Sequence, residues 1–327
     1  MSSILQKLRS AAMQQGLTKA EAAKLYPTIP ITEHPSFPVD IPDSFLAPLT
    51  DPSQITMSRI DFKNSPLPEY KDLYAVVLDN VLTQTECDQL LHMAELSTGA
   101  HLEEHGNDAA GGSKGWKQAL VRTGRRHEIL AIEYRDSGRI LWDEKEVVKR
   151  FFNRILQAKG MRDYLNLLEG KEYDGVVGKE RQGGRWKLTE QGPNEKMRFL
   201  RYGVGQFFKE HCDGSYETED GSSKSFYTIH LYLNDSAQAL GIPESKDWKE
   251  EDREILRGGA TTFSSSDLKR RLDVDPKAGR ALVFQHKGLL HSGDRVTAGV
   301  KYTMRCDLMY EWQDIAEDDD DGGVVFG

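Results

Sequence analysis

The distribution of apolar residues divides the chain into a first part with helical periodicity and a β-rich second part. In the first part, YAVVLDNVL is a compact apolar run, and Thr83 follows it with Glu86 three residues later. This pattern predicts a strand and then a helix that starts with a capping box. The apolar face of that helix, packed against a sheet, would consist of Cys87, Leu90, Leu91 and Ala94.

A second helix is predicted to begin at Asp143, where Glu146 is placed to complete an N-terminal cap. Its apolar stripe would consist of Val147, Val148, Phe151, Phe152 and Ile155. Upstream of both helices, the chain up to about Pro68 suggests a short polar helix followed by the Pro-rich stretch TIPITEHPSFPVDIP. We interpret that stretch as an extended arm or connector that does not belong to a core.

From Met197 onward, short β-type runs alternate with turns. The runs are MRFLRY, QFFKEH, SFYTIHLYLN, GATTF, RALVFQH and VKYTMRCDLMY. Regular short strands of this kind indicate a sandwich or barrel. A charged insertion at 236–257 interrupts them and is predicted to be helical, and the glycine-rich segment HGNDAAGGSKG between the two helices is predicted to be a mobile loop, suited to a lid.

These patterns predict four regions along the 327 residues. The first is an N-terminal helix and Pro-rich extension at 1–68, and the second is a helical and β support region at 69–195. The third is the β-rich core at 196–312. The fourth is an acidic C-terminal tail at 313–327, which we interpret as a solvated end because no calcium-loop spacing accompanies its aspartates.

Composition narrows the classes of partner and compartment. With 43 basic and 52 acidic residues, the net charge of −9 argues against nucleic acid as a ligand. No apolar run approaches the length of a membrane span, so we expect no membrane partner. Three cysteines without finger-like spacing favour a reducing, cytoplasmic location. A mitochondrial presequence is the alternative, since the first 20 residues include basic but no acidic side chains.

The strongest candidate for chemistry is the pair His211 and Asp213 in FFKEHCDGSY. Residues two apart on an extended strand point to the same face, so both side chains would be aimed at one point. A second histidine would complete the two-histidine, one-carboxylate triad that suits ferrous iron, and His291 in LLHSGDRV is the candidate. His230 and His286 are the alternatives for this third ligand. For His230 a pocket-lining or structural role is favoured, and for His286 packing or a supporting hydrogen bond is favoured.

Beyond these residues, five segments occur in an order that resembles the catalytic domain of prolyl 4-hydroxylases. They are YGVGQFFKEHCD, LYLND, GGATTF, PKAGRALVF and HSGDRVTAGVKY, within Arg198 to Tyr310. The resemblance implies an iron(II)- and 2-oxoglutarate-dependent dioxygenase with an α+β fold. Its core would be a double-stranded β-helix, of the jelly-roll or cupin type, with supporting N-terminal helices. It further implies Fe(II), 2-oxoglutarate and O2 as cofactor and cosubstrates, with ascorbate as a candidate reductant.

The resemblance also assigns roles to residues of this chain. His211, Asp213 and His291 would bind iron and serve as the catalytic residues. The residues expected to contact 2-oxoglutarate are Tyr202, Tyr232, Thr261 and Lys301. Lys301 would pair with the far carboxylate, but Arg305 lies on the same strand face and an arginine can bind a carboxylate in bidentate fashion, so it remains the rival anchor.

Three classes of function follow from this assignment. The first is an enzyme that hydroxylates or otherwise oxidises an unactivated C–H bond of a small molecule or amino acid, releasing succinate and CO2. The insertion at 236–257 favours it, because a loop could close over a compact substrate. The second is a peptidyl-prolyl 4-hydroxylase acting on protein, and the third is a barrel used only for binding. The sequence leaves the substrate and the oligomeric state open.

Overall fold

The computed structural model describes residues 4–31, 36–100, 115–124, 127–178, 184–243 and 254–314. The α-helices within these ranges are α1 (Ile4–Gln14), α2 (Lys19–Leu25), α3 (Gln84–Leu96), α4 (Lys145–Leu156), α5 (Met161–Asn166) and α6 (Asp174–Val177). Short 3-10 segments occur at Pro52–Gln54, Phe62–Asn64, Pro68–Tyr70 and Lys171–Tyr173. Residues 106–114 of the predicted loop at 106–115, residues 244–253 of the insertion at 236–257 and the acidic run in the tail lie outside the described residues.

The strands before the β-rich part are β1 (Ile29–Pro30), β2 (Thr56–Arg59), β3 (Ala75–Asp79), β4 (Lys117–Gln118), β5 (Val121–Arg122), β6 (His127–Ile129), β7 (Arg135–Asp136), β8 (Gly138–Asp143), β9 (Leu167–Leu168) and β10 (Gly184–Pro193). Those that follow are β11 (Lys196–Tyr202), β12 (Phe207–His211), β13 (Ser223–Tyr232), β14 (Arg257–Gly258), β15 (Thr261–Ser264), β16 (Arg271–Val274), β17 (Ala281–Gln285), β18 (His291–Gly293), β19 (Val296–Ala298) and β20 (Lys301–Asp314).

Two antiparallel sheets face each other and form the core. The major sheet has the order β2-β3-β17-β13-β20-β11-β8-β4, with β10 paired to the far half of β20, and the minor sheet has the order β16-β15-β18-β12-β7. A cluster of buried side chains joins them, in which Phe263 of the minor sheet packs with Tyr232 and Phe284 of the major sheet. This arrangement confirms the predicted fold class, α+β with a double-stranded β-helix core.

Helices α3 and α4 cover the outer face of the major sheet, as their apolar patterns predicted. The capping box of Thr83 and Glu86 is present at the start of α3. From its predicted face, Cys87, Leu90 and Ala94 are buried, whereas Leu91 is only partly buried against the same cluster. The five predicted stripe residues of α4 are all buried. Both helices therefore stabilise the sheet by burying apolar surface on the side away from the inter-sheet space.

The predicted start of α4 at Asp143 is wrong. Asp143 is the last residue of β8, where it lies opposite Lys196 of β11, and the two side chains form an ion pair at 3.2 Å. Glu144 is the N-cap instead, and its carboxylate accepts a hydrogen bond from the backbone N–H of Glu146. The strand pairing keeps Asp143 extended, and the cap moves by one residue.

The N-terminal part contains two helices where one was predicted. The second, α2, has its own capping box between Thr18 and Glu21. The chain from residue 36 to 43 has no regular structure, in agreement with an extended arm. It is nevertheless followed by Phe45 and Leu46, which are buried in the same cluster as the major sheet. These two residues lie beyond the stretch TIPITEHPSFPVDIP, so their burial does not contradict the interpretation of that stretch as an extended arm.

Candidate active site

The three predicted metal-binding side chains meet at one end of the inter-sheet space. His211 ends β12, His291 begins β18, and the two residues lie directly opposite each other in the antiparallel register. Asp213 follows two residues after His211. One donor atom from each of the three side chains lies within 4.8 Å of the others. The strand pairing therefore brings together residues that are 80 positions apart in the sequence.

Backbone carbonyls orient both imidazoles. Nδ1 of His211 lies 2.7 Å from the carbonyl oxygen of Lys209, and Nδ1 of His291 lies 3.1 Å from that of Leu289. We assign the proton to Nδ1 in each ring, because only then can it donate to these carbonyls. The two Nε2 atoms then present lone pairs toward Asp213 Oδ1, at 3.5 and 3.9 Å. Two neutral imidazoles and one carboxylate fit a divalent transition metal such as Fe(II).

The Asp213 carboxylate is held by two donors. Thr228 Oγ1 donates to its Oδ2 at 2.6 Å, and Arg305 Nη1 donates to its Oδ1 at 2.7 Å. Burial alone would raise the pKa of Asp213, but the charge of Arg305, followed by that of the histidines, holds it well below the usual value. Burial, with the neighbouring His211, lowers the pKa of His291 to about 3. Near neutral pH Asp213 and His291 are therefore in the protonation states that metal binding requires.

Lys301 and Tyr202 form the opposite part of the site. They lie directly across from each other on β20 and β11. The Lys301 ammonium, 2% exposed, lies 5.4 Å from the ring centre of Tyr202 and 5.6 Å from that of Tyr232. Burial lowers the pKa of Lys301 to about 8. No carboxylate of the described residues forms an ion pair with this buried cation, so its charge is available to an anionic ligand.

Arg305, the rival anchor, is already paired. Besides Asp213, it contacts Asp307, whose Oδ1 accepts from Nη2 at 3.1 Å. The other oxygen of Asp307 accepts from Arg198 at 2.9 Å. His286 lies behind this pair, with Nε2 3.7 Å from Asp307 Oδ1. The two carboxylates balance Arg305, and its geometry is that of a residue that positions a metal ligand.

The remaining predicted contacts lie around Lys301. Tyr232 is fully buried and donates a hydrogen bond from its hydroxyl to Thr261 Oγ1 at 2.7 Å. Thr261 and His230 line the cavity itself. His230 lies outside the group of three metal donors, and its Nε2 has no hydrogen-bond partner among the described residues. Burial, with the charges of Lys301 and Arg305, lowers the pKa of His230 well below the usual value, so the imidazole is neutral.

A cavity of about 550 Å³, counted with its open mouth, connects the triad with Lys301. Sequence reasoning missed several of its residues, namely Arg135, Arg198, Phe208 and Thr228. Thr228 could have been found from its place two residues before His230 on an alternating strand, but Arg135 lies in a polar segment whose pairing with β12 no local pattern indicates.

The comparison with family models gives one match, to the 2OG-Fe(II) oxygenase superfamily, over residues 197–306. This segment begins in β11 and ends in β20. It therefore includes the triad, Tyr202, Lys301 and Arg305. No curated protein matches the chain.

Among solved structures, the chain is similar to three prolyl hydroxylases. A viral collagen prolyl hydroxylase from Paramecium Bursaria Chlorella virus-1 is 17% identical, with a TM-score of 0.37, covering 72% of this chain and 96% of that one. A Pseudomonas putida prolyl-4-hydroxylase is 13% identical, with a TM-score of 0.39 and coverages of 76% and 95%. A Trichoplax adhaerens prolyl hydroxylase, in complex with a peptide fragment of the hypoxia inducible factor oxygen degradation domain, is 12% identical, with a TM-score of 0.41 and coverages of 76% and 88%.

These likenesses are too distant to bear on the substrate, and the assignment rests on the matched segment. The superfamily uses Fe(II), 2-oxoglutarate and O2, and the described residues offer two histidines and one aspartate in a compact group inside that segment. Within the described residues, no helix has the length and apolar character that crossing a membrane requires. Residues 197–306 are therefore similar to the 2OG-Fe(II) oxygenase superfamily, and the chain is a dioxygenase enzyme.

Proposed function

We propose that this dioxygenase oxidises an unactivated C–H bond of a small molecule or amino acid, with hydroxylation as the default outcome. His211, Asp213 and His291 would hold the iron, and Lys301 would bind the far carboxylate of 2-oxoglutarate. The observation that carries the proposal is the combination of three converging donors with a buried ammonium in the same cavity that forms no ion pair with any described carboxylate. A dicarboxylate that spans a metal and a fixed cation fits such a site.

The residues of the chain would act by positioning. When bound, the iron with 2-oxoglutarate and O2 supplies the oxidising power, and succinate and CO2 are released. Thr228 and Arg305 fix the orientation of the Asp213 carboxylate through its two oxygens. Tyr202 and the Tyr232–Thr261 pair shape the wall around the Lys301 ammonium. A metal ligand set held this rigidly determines where a substrate C–H bond must lie.

A small substrate is favoured by the depth of the site. Asp213 and His291 are 8% and 6% exposed, so the triad lies below the surface of the described residues. The alternative, a peptidyl-prolyl 4-hydroxylase, would need a peptide segment to reach this depth. A screen for substrate-dependent succinate release over free amino acids, prolyl peptides and extract metabolites separates the two.

The test of the proposed function is succinate release from 2-oxoglutarate by the purified protein. We expect the wild type to release succinate with Fe(II) and O2. His211→Ala should lose this activity by at least about a hundredfold, because the two remaining ligands would hold the metal poorly. The proposal fails if His211→Ala releases succinate at the wild-type rate. A barrel used only for binding would release no succinate at all.

We also propose ascorbate as a reductant and a reducing compartment, the cytosol, as the location. Cys87, Cys212 and Cys306 are all free thiols, as expected for a protein that is not exposed to oxidising conditions. The role of ascorbate is tested by measuring the reaction rate over many turnovers with and without ascorbate. A slower decline of the rate with ascorbate supports it, and identical decline contradicts it.

A further inference from the structure

The charges around the cavity are not balanced by the proposed cosubstrate. Four cationic side chains line it, Arg135, Arg198, Lys301 and Arg305, and among the described lining residues Asp213 is the one carboxylate. Asp213 and Asp307 pair with Arg305, and Asp307 also pairs with Arg198. With Lys301 assigned to 2-oxoglutarate, a single cation is left over, and it is Arg135.

The Arg135 guanidinium is partly buried beside the metal-binding residues. It belongs to β7, directly opposite Phe208 of β12, and lies over the Phe208 ring at 4.7 Å from its centre. That ring is stacked on the His211 imidazole, with 3.7 Å between ring centres. A single phenyl ring therefore connects the guanidinium to a proposed iron ligand.

The hydrogen-bond partners of Arg135 within the described ranges are neutral, and the Tyr202 side chain is one of them. Its Nε donates to Ser137 Oγ and its Nη1 to the Leu120 carbonyl, both at the long distance of 3.4 Å. No described carboxylate forms an ion pair with it. Burial lowers its pKa to about 10, so the side chain is still charged at neutral pH. A charged guanidinium inside a cavity whose described hydrogen-bond partners are all neutral gains most from an anionic ligand.

We propose that Arg135 binds a carboxylate of the primary substrate, which is therefore a carboxylic acid of low molecular mass, such as a free amino acid. This inference rests on the proposed function. A carboxylate is favoured over a phosphate because one arginine balances one negative charge, whereas a phosphate group carries about −1.5 to −2. The position beside Phe208 and His211 places the bound acid next to the metal.

Binding of the primary substrate by Arg135 can be distinguished from a role of the same residue in 2-oxoglutarate binding. Tyr202 lies between the two cations, since its ring contacts Lys301 and the charge of Arg135 acts on its hydroxyl. Arg135 could therefore serve the cosubstrate instead of the substrate. A variant of Arg135 would lose affinity for the primary substrate in one case and affinity for 2-oxoglutarate in the other.

The chain offers a matched control for Arg135. Arg295 lies over the ring of Phe207, the preceding residue of β12, at 4.4 Å from its centre, but it is exposed and does not line the cavity. Successive strand residues point to opposite faces, so the two arginine–phenylalanine pairs differ mainly in the side of the strand they occupy. R295Q removes an equivalent charge and ring contact outside the site.

The experiment uses full-length protein loaded with Mn(II) and 2-oxoglutarate, and measures binding by calorimetry. The probes are the free amino acids and their primary amides. We expect at least one acid to bind the wild type, its amide to bind at least about tenfold more weakly, and R135Q to weaken the acid by at least about tenfold. R295Q should bind it within twofold of the wild type, and R135K, which keeps the charge, should lie between R135Q and the wild type.

Three results would overturn the inference. They are an acid that binds R135Q as tightly as the wild type, amides that bind as tightly as the acids, and loaded wild-type protein that binds none of the acids. A loss in R135Q of 2-oxoglutarate affinity alone would make Arg135 a cosubstrate ligand, which also overturns it. If wild-type protein bound neither Mn(II) nor 2-oxoglutarate, the proposed function itself would have failed, and that result is distinct from the others.

Discussion

Arg305 donates a hydrogen bond from Nη1 to Oδ1 of Asp213 at 2.7 Å. This contact distinguishes Lys301, the expected anchor for 2-oxoglutarate, from Arg305, which the sequence left as its rival. Arg305 pairs with Asp213 and Asp307, whereas no described carboxylate forms an ion pair with the Lys301 ammonium. The pairing favours Lys301 as the residue that binds the cosubstrate and Arg305 as the residue that orients a metal ligand.

Lys301→Met should weaken 2-oxoglutarate binding and leave the fold intact. The variant removes one charge-assisted hydrogen bond, which contributes about 1.5–3 kcal/mol, so we expect the Kd to rise by roughly one to two orders of magnitude. A similar apolar stem should fill the buried space, and the thermal midpoint should not fall. Anaerobic 2-oxoglutarate titration of the metal-loaded protein measures the change.

Arg305→Met should instead lower the stability of the fold and the affinity for the metal. It would leave Asp213 and Asp307 buried without their shared cation, and breaking a buried pair in this way costs about 3–5 kcal/mol. We expect a lower free energy of unfolding and weaker metal binding, both measurable by denaturant titration and metal titration. An Arg305 variant that folds normally and loses only 2-oxoglutarate affinity would reverse the two roles.

The affinity for 2-oxoglutarate should depend on pH through Lys301. Its pKa is lowered to about 8 by burial, with the charge of Asp294 acting in the opposite direction, and the neighbouring Tyr202, Tyr232 and His230 are uncharged. Only the protonated amine attracts the carboxylate, so affinity should be constant below about pH 7 and fall about tenfold per pH unit well above pH 8. Lys301→Arg should remove this fall, and a wild-type affinity that is flat to pH 10 would contradict it.

Thr228→Val should weaken metal binding by about ten- to a hundredfold, because it removes the hydrogen bond that Oγ1 donates to Asp213 at 2.6 Å. Thr303→Val is the matched control. Thr303 is also fully buried on the major sheet, but its Oγ1 has no partner among the described residues, so the same change should leave metal affinity and stability nearly unaltered. Equal metal affinities for the two variants would show that Thr228 does not orient the carboxylate.

The local parts of the fold could be predicted from the sequence. The capping box at Thr83 and the apolar stripe of α4 depend on residues within one helix, and the runs from Met197 onward became strands β11, β12, β13, β15, β17 and β20. Strands β8 and β10 were not predicted. In β10, polar residues and glycine interrupt the alternation of apolar and polar positions that indicates a strand. The segment is extended because it pairs with the end of β20, more than 100 residues away.

The triad could be proposed from spacing and resemblance, but its supporting contacts could not. The hydrogen bond from Arg305 and the position of Arg135 beside Phe208 depend on pairings between distant strands. Single charged residues in polar segments carry no periodic signal, and only the tertiary structure shows which of them face a cavity.

The most direct test of the account is an anaerobic titration of the protein with Fe(II) and 2-oxoglutarate, followed by the visible charge-transfer absorbance that chelation of the keto acid to iron produces. We predict that the band saturates at one iron per wild-type chain. It should be absent in His211→Ala and unchanged in His127→Ala, which alters an exposed histidine of β6. A band of wild-type intensity in His211→Ala, or none in the wild type, would contradict the assignment of the iron site to His211, Asp213 and His291.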